Sequence, residues 1–296
     1  MKYPLPFILC LFMTALCQTS CKKDNPEKHD YEPVKVQSEW FEVDYLGDRI
    51  YSIEEPKSSQ GNVCYLVLGD ERALMFDTGS GENGEVQDSK IKHIIDQITS
   101  LPVTLIQSHF HFDHNQNIHE FDRIAFPDLP FLRELVSEES LFQFTLEDLF
   151  EGDYPSDITV DEWFPIETDI DLGGRVIQLV HVPGHSDESV AIMVATSKMI
   201  FLGDFLYNGT LFLFHNDDVV LYRQTADHLN SLLSPGYRLF GAHGDPELDF
   251  GQLQKLYSFL SCIEGGVCQF TEQTVWGIPA HIYAYQDMHL LVFQQD

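Results

Sequence analysis

Cations are scarce in this chain of 296 residues: 17 lysines and arginines face 47 aspartates and glutamates, a formal charge of −30 at pH 7. So acidic a surface repels polyanions, which argues against a nucleic-acid partner. No apolar stretch reaches the roughly 20 residues a bilayer span requires. Internal repeats and low-complexity segments are missing, and cysteine is sparse, six in all. Against these absences, 44% hydrophobic content is ample for a packed core.

The amino-terminal segment "MKYPLPFILCLFMTALCQTSC" has one cation, Lys2, then an apolar run from Phe7 to Cys17 and small polar residues. It reads as a signal peptide over residues 1–20. Thr19 and Ser20 precede Cys21, and "CKKDN" follows. That pattern resembles a bacterial lipoprotein signal whose cysteine becomes the lipidated amino terminus, with Gln18 where a leucine is usual, so simple secretion stays open. The expectation is an exported protein, in the periplasm or at the cell surface, that meets a membrane only through a lipid at Cys21. Residues 21–37 are polar and carry Pro26 and Pro33, as a tether does, and the folded domain is expected over 38–296. Cys64, in the apolar run "VCYLVLG", is expected to stay free. Cys262 and Cys268 flank "IEGGV" and either close a disulfide or remain small hydrophobes.

Short strand-like runs begin near Trp40: "WFEVDYL", "RIYSI", "NVCYLVLG" and "ALMFD". Val86, Ile91, Ile94, Ile95 and Ile98 share one face of a helix. "VTLIQS" is a short buried strand, and "RIAF" the next one. From Leu129 to Pro165 the chain is rich in Phe, Leu and acids, and helices with a loop are expected. Strands resume at "VIQLVHV", "VAIMVA" and "MIFLGD". A helix covers "VVLYRQTADHLNSLL" with Asp217 or Asp218 as its cap. "YRLFGAHG" is strand then loop, "FGQLQKLYSFLSCI" a helix, and "HIYAY" and "HLLVF" closing strands. The order suggests two packed sheets with helices outside.

"VTLIQS" delivers into "SHFHFDHNQN", which places His109, His111, Asp113 and His114 within six positions. Imidazole and carboxylate suit divalent zinc, and histidines two apart point the same way off an extended segment. Asp113 and His114 follow a bend and can reach a second point. Three later strand ends each add a candidate: His185 in "HVPGHSDES", Asp204 in "MIFLGDFLY" and His243 in "LFGAHGDP". Five histidines and two carboxylates are enough for two metals with a carboxylate between them.

These residues resemble the metallo-β-lactamase superfamily, whose H-x-H-x-D-H signature is matched by His109 to His114. The family's Asp-Thr-Gly turn corresponds to Asp77, Thr78 and Gly79, its Pro-Gly-His turn to residues 183–185, its Gly-Asp to Gly203 and Asp204, and its Ala-His-Gly to residues 242–244. The resemblance implies an α+β fold, an αββα sandwich of two mixed sheets with outer helices. It implies two zinc ions per chain: His109, His111 and His185 on one, Asp113, His114 and His243 on the other, Asp204 bridging. Asp77 would tie down the ligand loop.

Paired zinc ions sharing a water lower its pKa to about 7, yielding a bridging hydroxide. Asp113 can orient it and take a proton. Hydrolysis of an acyl bond is the expected reaction. Exported β-lactamases of the family have a cysteine where Asp204 stands, or lack a bridging aspartate, so Asp204 points to the glyoxalase II, lactonase and thioesterase side. Tyr207, three residues past Asp204, resembles a tyrosine that in some relatives binds the carbonyl oxygen; otherwise it is a loop aromatic. "TLFLFHNDD" with Phe142, Phe144, Leu146 and Phe150 lines an apolar acyl pocket or belongs to the core. The acidic chain disfavours coenzyme A unless Arg223 or Arg238 compensates. The reading is thus a zinc hydrolase of a small acyl ester, thioester or lactone. An exported β-lactam hydrolase and a non-catalytic, metal-stabilised surface lipoprotein are the alternatives.

Overall fold

The computed structural model describes residues 31–82, 90–150 and 157–294. The signal segment, Cys21 and Val86 lie outside these residues. Tyr31–Asp296 forms one compact unit. Residues 31–37, placed by sequence in the tether, take part in it: the strand Glu32–Pro33 pairs antiparallel with Asp44 and Tyr45.

Two six-stranded mixed sheets carry the fold. The first runs in chain order from Glu32–Pro33 through Glu42–Gly47, Ile50–Glu54, Val63–Leu68 and Ala73–Phe76 to Val103–Ile106, with only the last pair parallel. The second contains Ile170–Asp171, Val176–His181, Val190–Val194, Met199–Phe201, Arg238–Phe240 and Glu247–Leu248, with Met199–Phe201 parallel to Arg238–Phe240.

Strand periodicity explains the layers. All six residues of Val63–Leu68 are buried. Val63, Tyr65 and Val67 point into the core between the sheets, where they meet Ile177, Ile192, Phe201 and Phe240. Cys64, Leu66 and Leu68 point to the other face, against the helix Ile91–Ile98, which buries Ile91, Ile94 and Ile95 as its apolar stripe requires. On the far side, the helices Asp218–Leu232 and Gly251–Glu264 cover Val180, Ala191, Met193 and Leu239 with Tyr222, Leu229, Leu256 and Phe259. The Asp217 side chain makes no cap hydrogen bond.

A third, four-stranded sheet joins Thr210–Leu213, Met288–Phe293, Ile278–Tyr285 and Phe270–Val275. Its hydrophobic alternation is split: Leu211, Leu213, Leu290 and Val292 face the helical layer, whereas Phe212, Phe214, Leu291 and Phe293 form a separate cluster on the opposite face. "FTEQTV" escaped sequence recognition as a strand because nearly all of it is exposed and it carries no apolar period. Cys262 and Cys268 are disulfide-bonded, and Cys64 is free and buried. Among the described residues no helix is long and apolar enough to cross a membrane.

Candidate metal centre

The candidate ligands arrive from the carboxyl ends of strands and the turns after them. Val103–Ile106 runs into His109 and His111; the single turn Phe112–Asn115 then carries Asp113 and His114. Met199–Phe201 is followed by a 3-10 turn holding Asp204. Gly203 before it has φ +55°, and a Cβ there would lie 2.6 Å from the Ser108 Cβ, so only glycine lets the turn approach the histidine loop.

All seven predicted ligands converge. His109, His111 and His185 form one group of mutually close donors, Asp113, His114 and His243 a second, and Asp204 joins His109 and His114 in a third that overlaps both. His109 Nε2 and His185 Nε2 lie 2.9 and 3.0 Å from His111 Nδ1. Asp204 stands 3.6 Å from His185 Nε2, 3.4 Å from His114 Nε2 and 3.0 Å from His243 Nε2. Asp113 Oδ2 is 3.5 Å from both His114 Nε2 and His243 Nε2. A tetrahedral zinc with bonds of about 2.0–2.1 Å separates its ligand atoms by roughly 3.3 Å. These spacings therefore fit the edges of such a polyhedron. His114 Nε2 and Asp204 Oδ1 are sealed from solvent and lack a hydrogen-bond partner. Buried orphan atoms are costly, and a cation between them would satisfy both.

Electrostatics divide the histidines into two groups. Burial first, then neighbouring imidazoles, keeps His109 and His111 well below the usual histidine range; burial also lowers His185. Both effects favour the neutral ring, the form in which imidazole ligates a metal. Burial opposes charge on His114 and His243 as well, but the Asp113 and Asp204 carboxylates outweigh it and raise both. Burial would raise Asp204, yet His243 and His114 hold it well below the carboxylate range.

Partners behind the ligands fix their orientation. Asp77 Oδ2 pairs with His114 Nδ1 at 2.9 Å, while its Oδ1 accepts from the Ser108 N–H at 2.5 Å. His185 Nδ1 meets the Phe212 carbonyl and His243 Nδ1 the Gln60 carbonyl, each at 3.0 Å. Asn62 Nδ2 donates to both the carbonyl and Oδ2 of Asp113, 2.9 and 3.1 Å away. Asn115 Nδ2 holds the carbonyls of His109 and His111, and Glu188 Oε1 accepts the Phe110 N–H between them. Sequence reading missed Asn62 and Glu188; an asparagine before a strand and one acid among 47 carry no local signal. Asn115, inside the histidine cluster, offered position as a clue.

Tyr207 stands beside His243. It is buried, its hydroxyl donates to the Thr210 carbonyl at 2.5 Å, and its ring packs edge-on 4.9 Å from His243. The aromatic set divides: Phe142 and Phe144 belong to the core with Phe110 and Phe126, Leu146 is exposed, and Phe150, Phe212 and Phe214 stand beside the ligands. Arg223 pairs with Glu264 and Arg238 with Glu247, so both cations proposed to compensate coenzyme A are engaged.

Comparison with known proteins follows the same lines. The profile of the metallo-beta-lactamase superfamily matches residues 60–243. The acyl-coenzyme A thioesterase MBLAC2 of Homo sapiens is 27% identical over 218 residues, covering 65% of this chain and 74% of that protein; the Bos taurus protein matches to the same extent. The structure of a metallo-beta-lactamase from Pontibacter korlensis superposes with TM-score 0.57 at 17% identity over 75% of this chain and 99% of its own, a likeness of fold.

Proposed function

Because the chain belongs to the metallo-β-lactamase superfamily, we propose that it is a metal-dependent hydrolase of acyl bonds, with a thioester as the preferred substrate. The observation that carries this reading is the position of Asp204, within 3.6 Å of His185 in one donor group and of His114 and His243 on the other side. The likeness to acyl-coenzyme A thioesterases supports the thioester over other acyl substrates.

His109, His111 and His185 would hold one zinc, Asp113, His114 and His243 a second, and Asp204 both. When bound, the two ions supply Lewis acidity toward an acyl carbonyl and bring the pKa of a water to about 7. The protein's own groups do the rest. Asp113, anchored by Asn62 through Oδ2, orients the attacking water and accepts its proton. Water oxygen bonds to the acyl carbon, the carbon–sulfur bond breaks, and the thiolate departs with the electron pair. Asp77 keeps Nδ1 of His114 occupied so that Nε2 faces the centre. Tyr207 supports His243 by ring contact.

The test is metal content of the purified protein together with turnover of p-nitrophenyl esters, acyl thioesters, lactones and a chromogenic cephalosporin, beside Asp113→Ala and Asp204→Ala. Two metals per chain and thioester turnover abolished in both variants are expected. Cephalosporin turnover alone would support the β-lactam reading. A metal-dependent melting temperature without turnover of any substrate would support the non-catalytic one. Export and a lipid at Cys21 belong to the same proposal, and the mass of the mature amino-terminal peptide tests them.

A further inference from the structure

The third sheet turns an aromatic face toward the candidate metal centre, and that face does not belong to the main core. Phe214 lies 4.8 Å from the His111 ring and 5.5 Å from His185. Phe150 lies 4.8 Å from Phe214 and 6.1 Å from His111. Trp276 follows, 5.3 Å from Phe150, stacked on Phe212 and Phe293 at 5.8 and 5.5 Å. Phe150, Phe212, Phe214 and Trp276 are all only partly buried. The strand Thr210–Leu213, which bears Phe212 and ends just before Phe214, also supplies the carbonyl that orients His185, so wall and centre share one support.

Backbone conformation singles out the same residues. Nine described non-glycine residues have positive φ, and the aromatic ones among them are Phe150 at 64° and Trp276 at 51°. Trp276 and Gly277, at 81°, form the two-residue turn closing the Val275–Ile278 pair. Both central positions of such a turn need positive φ, and asparagine or glycine meets that need without strain where tryptophan does not. Strain retained in two bulky rings, side by side at a candidate centre, points to a use for the rings.

Resting on the acyl-hydrolase reading, we propose that Phe214, Phe150 and Trp276 form the subsite for an unbranched apolar acyl chain, whose carbonyl lies at the metal centre and whose tail ends on Trp276. Ring-to-ring steps of 6.1 and 5.3 Å lead from His111 through Phe150 to Trp276. A carbon–carbon bond of about 1.5 Å advances an extended chain by about 1.3 Å, so about nine carbons span that path. The wall thus selects medium-chain acyl groups, and the Trp276 turn measures their length.

The experiment uses the metal-loaded protein and pantetheine thioesters of acetate, hexanoate, decanoate and tetradecanoate, with Trp276→Asn as the variant suited to the turn. In the wild type kcat/KM rises by up to about fourfold per methylene, as apolar burial allows, and levels off near decanoate. In Trp276→Asn the decanoyl-to-acetyl ratio falls at least tenfold while the melting temperature does not drop. A bromine-labelled decanoate quenches tryptophan fluorescence in the wild type and not in the variant, a readout independent of turnover. Quenching without hydrolysis of any thioester would support the subsite and sink the hydrolase. Hydrolysis with the same kcat/KM at every chain length, no quenching, or an unchanged ratio in Trp276→Asn would overturn the subsite and leave the hydrolase standing.

Discussion

Replacing Asp77 by asparagine isolates one positioning bond. Asp77 has φ +68°, a conformation asparagine tolerates, so the backbone cost is small. Its two oxygens serve two partners: Oδ1 takes the Ser108 N–H at 2.5 Å and Oδ2 faces His114 Nδ1 at 2.9 Å. The asparagine amide has one acceptor oxygen and one donor nitrogen, so one partner loses out. If oxygen stays on Ser108, the amide N–H faces His114 Nδ1 and makes it an acceptor; the ring proton moves to Nε2, the atom that faces Asp113 and Asp204. If the amide turns the other way, two donors collide at Ser108. Either arrangement forfeits one charge-assisted hydrogen bond in a fully buried place, about 1.5–3 kcal/mol. In a chain of this size about 2–4 °C of melting temperature accompanies each kcal/mol, so a fall of about 3–12 °C is expected. Zinc affinity should fall about 10–100-fold, the usual effect of removing a ligand's outer partner. Scanning calorimetry and competition with a chromogenic zinc chelator measure the two. Zinc affinity within twofold of wild type would refute the account of Asp77 as the residue that sets the His114 tautomer.

Other perturbations test other parts of the argument. Glu55 is fully buried, accepts from Trp40 Nε1 and the Ser80 N–H, and its pKa is pushed by burial to about 7. A raised carboxyl makes the folded state bind the extra proton between about pH 4.5 and 7, so its contribution to stability declines as pH rises through that window, by at most about 1.4 kcal/mol per unit. Denaturant titrations at pH 5, 6 and 7 should show a steeper decline in the wild type than in Glu55→Gln; parallel curves would contradict this. Gly203→Ala forces a Cβ against Ser108 at positive φ and should cost at least about 1–2 kcal/mol, with loss of bound zinc by elemental analysis. Reducing Cys262–Cys268, which closes a short loop, should cost about 2 kcal/mol on the chain-entropy argument, with thioester turnover retained. With a chain charge of −30, kcat/KM for a coenzyme A thioester should rise with ionic strength, whereas that for the uncharged pantetheine analogue should not.

The histidine cluster, the buried strands and the helix stripes were legible because each is local. Ligands one to five residues apart, a six-residue apolar run and a 3.6-residue period are properties of neighbouring positions, and side-chain direction follows from backbone periodicity alone. His185, Asp204 and His243 could be nominated as strand ends, and their grouping came from resemblance to a family. Tertiary structure decided the rest. Asn62 reaches Asp113 across 51 positions, the Tyr207 hydroxyl meets the Thr210 carbonyl and its ring meets His243, and Arg223 and Arg238 are already paired. The aromatic wall is the clearest case: Phe150, Phe214 and Trp276 lie far apart in the chain and meet where the end of the helix Leu146–Leu149 comes against a sheet whose edge strand has no hydrophobic pattern. Composition and spacing determine which residues have the chemistry to bind a metal or an acyl chain. Which partner a donor meets, and whether an aromatic is core or surface, depends on what the folded chain places opposite it.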